Sequence, residues 1–301
     1  MSETSGGIER YLAALRQSLA GTDPATVQDA IADADEHLRS AVAQALAREP
    51  GLTEEKVLPE ILAQFGTPDE VARAYREMEP HLVPPFARRA GAAPEPRSPL
   101  ARWVSVLGDP RAYGALFYML FSLIAGVITF TWAVVGISLS LGLMVLIFGL
   151  PFFGLFVFSI QGMGLVEGRV IEALLGVRMP RRLASPPSGT GIWGKFKARL
   201  RDRRTWTTLL YMILKLPLGI IYFTLFVVLL AYSLQLMVYP ALSLIFDLPF
   251  IVINNLRFAV PWPLLPVLVL AGFLDLIVIL HLARLTGRMH AGLAKGFLVK
   301  A

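Results

Sequence analysis

Two ionisable side chains, Lys215 and Asp275, stand inside long apolar runs of the sequence. A charge at the centre of a bilayer costs about 2.5–3.5 kcal/mol on insertion scales, so each is expected to face other helices and to have a partner. Counted from the expected cytoplasmic ends of the two helices, Lys215 lies about eight residues, roughly 12 Å, from the start of its own, and Asp275 about ten residues, roughly 15 Å, from the end of its own. Similar depth makes them a candidate intramembrane pair. The alternatives are that Lys215 snorkels to the headgroups and that Asp275 bonds hydroxyls or amides alone. A second cluster sets His37 among Asp33, Asp35 and Glu36. Only residues three or four apart share a helix face, so His37 shares one with Asp33 alone. Zinc takes three or four protein ligands, so no metal is expected.

The remaining histidines, His81, His281 and His290, are scattered, and the chain has no cysteine. Thiolate catalysis, disulfides and cysteine-bound metals are therefore excluded. No Walker-type phosphate loop and no His-Glu-x-x-His sequence occurs, and no serine has a defensible His/Asp partner. The residues point to no enzyme and call for no cofactor.

The elements that carry these residues are membrane helices. Ala112 to Val166 is a run of 55 residues without Asp, Glu, Lys or Arg, whereas about 20 apolar residues suffice to cross a bilayer. It reads as a spanning hairpin, with its turn expected at Gly136 to Gly142, where Gly and Ser cluster. The chain of 301 residues is 55% hydrophobic and 17% charged, with a mean hydropathy of +0.60, the composition of an integral membrane protein. Charge divides the chain. Residues 1–84 carry 7 basic against 15 acidic residues, and residues 85–301 carry 21 against 7. The first part is net −8 and the second +14, which indicates two parts with different partners.

The acidic part, residues 1–79, reads as four short helices. Ile8, Tyr11, Leu12, Leu15 and Leu19 make one apolar stripe. A second helix starts at Thr22-Asp23-Pro24 and runs to about Arg48, with Asp29, Asp33, Glu36 and Arg39 opposite its buried stripe. Thr53 is expected to cap the third helix. Gly66 ends it, and Thr67-Pro68-Asp69-Glu70 restarts the chain with a capping box. This head resembles the HAAS family of bacterial signalling domains. The resemblance lies in Tyr11-Leu12, Leu15-Arg16 and Leu19, in Asp35-Glu36-His37-Leu38, and most specifically in Phe65-Gly66-Thr67-Pro68-Asp69-Glu70-Val71-Ala72. The first of these last residues is Phe where Leu is commoner. The resemblance implies a small cytoplasmic domain fused to membrane helices, often encoded beside PadR-like transcription regulators and thought to bind them.

Residues 80–108 read as a Pro-rich basic linker. After it the sequence repeats. At an offset of 93, Asp109, Arg111, Tyr118, Met119, Gly126, Phe130 and Thr131 correspond to Asp202, Arg204, Tyr211, Met212, Gly219, Phe223 and Thr224, and Tyr113 corresponds to Trp206. Gly168-Arg169 and Gly287-Arg288 match at an offset of 119, which leaves a 26-residue insertion near Tyr239 to Pro263. Repeat 1 is thus 109–182, a basic loop fills 183–201, and repeat 2 is 202–301. Each repeat is a hairpin followed by an amphipathic segment that can lie in the interface. The fold class expected is all-α: a small helical head on two duplicated transmembrane hairpins. The arrangement resembles the "putative sensor" membrane domain of bacterial sensor kinases and stand-alone proteins. Arg204-Thr205-Trp206, Tyr211, Leu216-Pro217-Leu218-Gly219-Ile220, Tyr222-Phe223 and the basic tail after each hairpin carry that resemblance.

Ten Lys and Arg stand between the hairpins, against Arg257 alone in the outer segment from Tyr239 to Pro261. The positive-inside rule then makes both termini and the central loop cytoplasmic in a multi-pass protein of the bacterial inner membrane. Trp193, Lys195, Lys197, Arg199, Arg201, Arg203 and Arg204 are candidate contacts to anionic lipid headgroups, a solvated loop being the alternative. No DNA-reading motif accompanies them, so no direct nucleic-acid partner is expected. The functional expectation is a membrane signalling protein whose head, residues 1–79, binds a cytosolic protein. The alternative is a transporter or an accessory subunit of an ABC-type exporter, although a carrier needs a lined polar pathway and these helices supply few polar groups.

Overall fold

The computed structural model describes residues 5–49, 51–78, 98–146, 149–182, 192–246, 248–254 and 256–299. Most of the linker, the first part of the central loop and the side chain of Lys195 lie outside the described residues. The chain divides into two compact units, one of residues 1–88, 132–212 and 292–301 and one of residues 89–131 and 213–291.

In the first unit the head is a bundle of α1 (Ser5–Ser18), α2 (Pro24–Arg48), α3 (Glu54–Phe65) and α4 (Pro68–Met78). Its core is Ile8, Tyr11, Leu15, Leu19, Ala30, Ala34, Leu38, Val42, Leu58 and Ala72, the stripes that helical periodicity marks. Asp23 caps α2 by accepting from the Ala25 N–H at 2.9 Å. Thr53 stands before α3 but makes no side-chain cap bond, which corrects the expected cap. The capping box of α4 forms. Thr67 N donates to Glu70 Oε2 at 2.8 Å and Glu70 N to Thr67 Oγ1 at 3.3 Å. Gly66 turns the chain at φ +99°, the left-handed conformation that favours glycine.

Among the described residues, four helices are long and apolar enough to cross a membrane. They are α6 (Pro110–Leu143), α7 (Gly149–Leu175), α9 (Arg203–Phe246) and α10 (Leu265–Leu298), the last preceded by one 3₁₀ turn from Trp262. The expected turn at Gly136–Gly142 is helix instead, and α6 continues to Leu143. Gly136 is there for packing: a Cβ on it would lie 2.0 Å from the Phe156 ring. Small residues of this kind let membrane helices approach closely, so Gly and Ser did not mark a turn. The two amphipathic segments are likewise not separate elements. They continue α7 and α10 without a break.

Short helices precede each hairpin. These are α5 (Pro99–Val104), followed by a 3₁₀ turn to Gly108, and α8 (Ile192–Arg201). They begin 93 residues apart, so the duplication reaches further back than the identities do. Its geometry is repeated atom for atom within each unit. Asp109 Oδ1 accepts from Arg111 N at 2.9 Å and Asp202 Oδ1 from Arg204 N at 3.0 Å. Tyr113 OH donates to Leu107 O at 2.9 Å, and Trp206 Nε1 to Leu200 O at 2.8 Å. The insertion in repeat 2 is a longer first helix plus a small antiparallel hairpin, β1 (Ile251–Ile253) and β2 (Leu256–Phe258), turned at Asn254 with φ +48°.

Candidate functional site

In the first unit α2 presents Asp29, Asp33 and Glu36 along one face, at spacings of four and three. The sequence placed these on the polar side of the helix. They hold the segment that leaves α7. Gly176 takes φ +70° and ends α7, and Met179 and Pro180 are buried beyond it. Asp29 is only 6% exposed. Its Oδ1 accepts the N–H groups of Arg181 at 2.6 Å and Arg182 at 3.0 Å, and its Oδ2 meets Arg178 Nη2 at 2.7 Å. Gln28 Nε2 donates to Arg182 O at 3.1 Å. Arg182 reaches Asp33 at 2.6 Å and Glu36 at 2.5 Å. Glu172 of α7 holds Arg178 at 3.2 Å and Arg181 at 2.9 Å from the other side. Lys295 pairs with Asp23 at 2.5 Å.

Burial pushes the Asp29 carboxyl above its usual range, against the two N–H bonds and the Arg178 charge, which pull it down. Tyr75 donates to Asp33 at 2.9 Å. Burial, then the Asp33 carboxylate, drives its phenol well above the ordinary value. The signal for this clasp was in the sequence as three acids in helical register and a charge imbalance of opposite sign. It could not say which arginines would answer them.

Phe65, Gly66, Thr67, Pro68 and Glu70 lie at the α3–α4 corner of the head. Phe65 is half-buried. Its ring stands 5.8 Å from that of Tyr11, edge to face, and 5.1 Å from that of His37. Tyr11 OH donates to Gly66 O at 2.9 Å. His37 thus has an aromatic neighbour, and no cluster of metal-ligating groups occurs among the described residues.

Of the candidate headgroup contacts, Trp193, Lys197, Arg201 and Arg203 are exposed. Arg199 and Arg204 turn inward, 9% and 8% exposed, so they do not fit that role. Burial lowers the Arg199 guanidinium, opposed by the Asp202 charge. Phe196 and Phe153 pack edge to face at 5.7 Å, so α8 lies on α7 by its apolar face.

In the second unit Lys215 is fully buried. Its Nζ lies 5.8 Å from the centroid of the Tyr118 ring, within reach of a cation–π attraction. Tyr118 OH and His290 Nε2 are 2.7 Å apart, and Tyr222 stands edge to face with the His290 ring at 5.5 Å. Asp275 is not part of this cluster. Its Oδ2 is buried with no hydrogen-bond partner among the described residues, and no ion pair to Lys215 forms. The depth count explains the error. Helix α10 runs on to Leu298, which puts Asp275 about 23 residues, roughly 34 Å, from that end, while Lys215 is about 12 residues, roughly 18 Å, into α9. Ser233 Oγ bonds Gly272 O at 2.9 Å, and in antiparallel register with that contact Lys215 is level with His290. His290 reads as a scattered histidine in the sequence because the expected crossing ends near Leu285, about one and a half turns short of it.

Fold and sites together define an all-α, multi-pass membrane protein with a helical head. The chain matches the family described as "Putative sensor" over residues 118–298 and belongs to it, and it matches the HAAS family over residues 10–74. Both are signalling families without catalytic activity, and HAAS domains mediate contacts between proteins. No curated protein and no solved structure matches the chain.

Proposed function

We propose that this is a bacterial inner-membrane sensor, with both termini cytoplasmic, whose acidic head holds or releases a cytosolic regulator in response to a membrane or envelope condition. The observation that carries the reading is the direct bonding of head to membrane helix. Asp29 of the head binds Arg178, Arg181 and Arg182, and Glu172, on the last turn of α7, binds the first two. Displacement of α7 along or across the bilayer therefore pulls on the head through charge-assisted bonds, which are the strong class of hydrogen bond. The HAAS match supports a protein as the partner, and a PadR-like regulator is the first candidate.

The test is capture from cytosol by the full chain in lipid nanodiscs, with proteins identified by mass spectrometry. A small winged-helix regulator retained by the full chain is the expected result. Retention of an ATPase subunit, or of nothing, would overturn the reading.

A further inference from the structure

We infer that the α2 face of Gln28, Asp29, Asp33 and Glu36 is a peptide-binding site, filled in cis by Arg178–Arg182, and that the regulator enters it with a basic segment of its own. The inference rests on the proposed function for the existence of a regulator, and on the geometry for the site. The face reads main chain as well as charge. Asp29 takes two successive backbone N–H groups, and Gln28 gives to the carbonyl that follows. Those three bonds would accept any non-proline backbone, whereas the carboxylates select cationic side chains, which are arginines in the cis segment. A partner segment of the form Arg-x-x-Arg-Arg satisfies both.

The cis segment is held firmly at one point and loosely at another. Arg178 and Asp29 are nearly dry, with side chains 12% and 9% exposed, while Arg182 and Glu36 are 50% and 64% exposed. Exposed pairs contribute little and are screened by salt. The strand can thus peel from its Arg182 end, which is where an incoming segment would begin. Thr26, one turn before Asp29 on the same face, is buried with a hydroxyl that has no hydrogen-bond partner among the described residues. A bound segment that reached one turn further along this face could bond it. Glu172 competes for Arg178 and Arg181, so the membrane helix itself sets how tightly the cis strand stays.

The probe is a fluorescent synthetic peptide of residues 176–184, with a control in which its three arginines are glutamine. It is titrated against the full chain in nanodiscs. A tethered competitor acts at an effective concentration near the millimolar range, so an Arg178→Gln/Arg182→Gln chain should bind the arginine peptide at least roughly tenfold more tightly than wild type. Adding Asp29→Asn should remove that gain. Arg182→Glu alone, at a half-exposed position, repeats the test should the double variant unfold. Equal affinity for wild type and the weakened chains, or equal binding of the glutamine peptide, would overturn the inference. Capture from cytosol separates it from the reading beneath it. A regulator retained equally by wild type, the double variant and Asp29→Asn overturns the peptide site and leaves the proposed function standing. Tighter peptide binding with no regulator retained by any form supports the site and sinks the proposed function.

Discussion

Gly126 and Gly219 are equivalent positions of the two repeats, and each packs against the other repeat's first helix at the equivalent place. A Cβ on Gly126 would lie 2.8 Å from Lys215 O, and one on Gly219 would lie 2.6 Å from Ser122 O. Ser122 and Lys215 are themselves 93 residues apart, so the crossing of α6 and α9 is two-fold in its contacts. Backbone cannot move aside as a flexible side chain can. Alanine at either glycine is therefore expected to destabilise the protein by about 1–3 kcal/mol, the range for overpacking. Gly142 has nothing within 4 Å of its Cβ position, and Gly142→Ala should be neutral or stabilising by up to about 1 kcal/mol. Reversible unfolding in mixed micelles would compare the three. Indifference at Gly126 and Gly219 would mean the helices do not cross there.

The duplication was legible because it rests on polar residues at a fixed offset. Asp109 and Asp202 repeat both residue and bond, and Tyr113 and Trp206 make the corresponding bond with different side chains. The hairpin turn was misplaced because Gly136 looks the same in sequence whether it bends a chain or admits Phe156. The clasp was half legible. Asp29, Asp33 and Glu36 formed a visible face, but nothing local in the sequence ties residue 29 to residue 182. The Lys215–Asp275 pairing failed for a metric reason, since charges resume at Arg284 well before α10 ends.

Tyr118 and Tyr211 give a second test of the repeat. Tyr118 OH bonds His290, and Tyr211 OH donates to Glu167 at 3.2 Å. Each hydroxyl is buried. Phenylalanine at either position removes one partner of a buried bond and should cost about 1–3 kcal/mol. Unfolding of each single variant by denaturant would give the two values. A neutral Tyr118→Phe would show that the buried imidazole does not depend on it.

The capping box predicts an acid dependence. Glu70 lies below its ordinary 4.5 because the Thr67 N–H and hydroxyl bond its ionised form. A depressed pKa means stability present above 4.5 and lost as the pH falls through the folded value. Residues 1–84, expressed alone, are expected to be soluble and helical. Circular dichroism melts should show Glu70→Gln less stable than wild type near neutral pH, with the gap closing as the pH falls through the lowered Glu70 value. A constant gap across the range would mean the carboxylate charge plays no part in the cap.

Phe65 supports the head from its edge. Full burial of a phenylalanine ring makes its loss cost about 3–5 kcal/mol. A half-buried ring between Tyr11 and His37 should cost about 2 kcal/mol on the same basis. The same melts measure it. A Phe65→Ala head as stable as wild type would make the ring a surface contact.

Reporter fusions test orientation. Positions 91, 188 and 301 should read cytoplasmic and one at Asn254 should read external, because basic residues concentrate on the first side. An external reading at 188 would break the two-hairpin topology.

Lys215 and Asp275 should behave as independent sites. In the antiparallel register that Ser233 and Gly272 fix, they lie about 15 residues apart along α10, or roughly 22 Å on the helical rise. Lys215 belongs with Tyr118 and His290; Asp275 has no hydrogen-bond partner at Oδ2 among the described residues. Distant sites without shared partners add to within about 0.3–0.5 kcal/mol. Lys215→Met and Asp275→Asn, singly and together, would close a double-mutant cycle. Lys215→Met alone should perturb the Tyr118–His290 contact, visible as a shift of the His290 imidazole resonances in a labelled sample, and Asp275→Asn should leave those resonances in place. A coupling energy above about 1 kcal/mol, or a His290 shift on Asp275→Asn, would mean the two charges share one network after all.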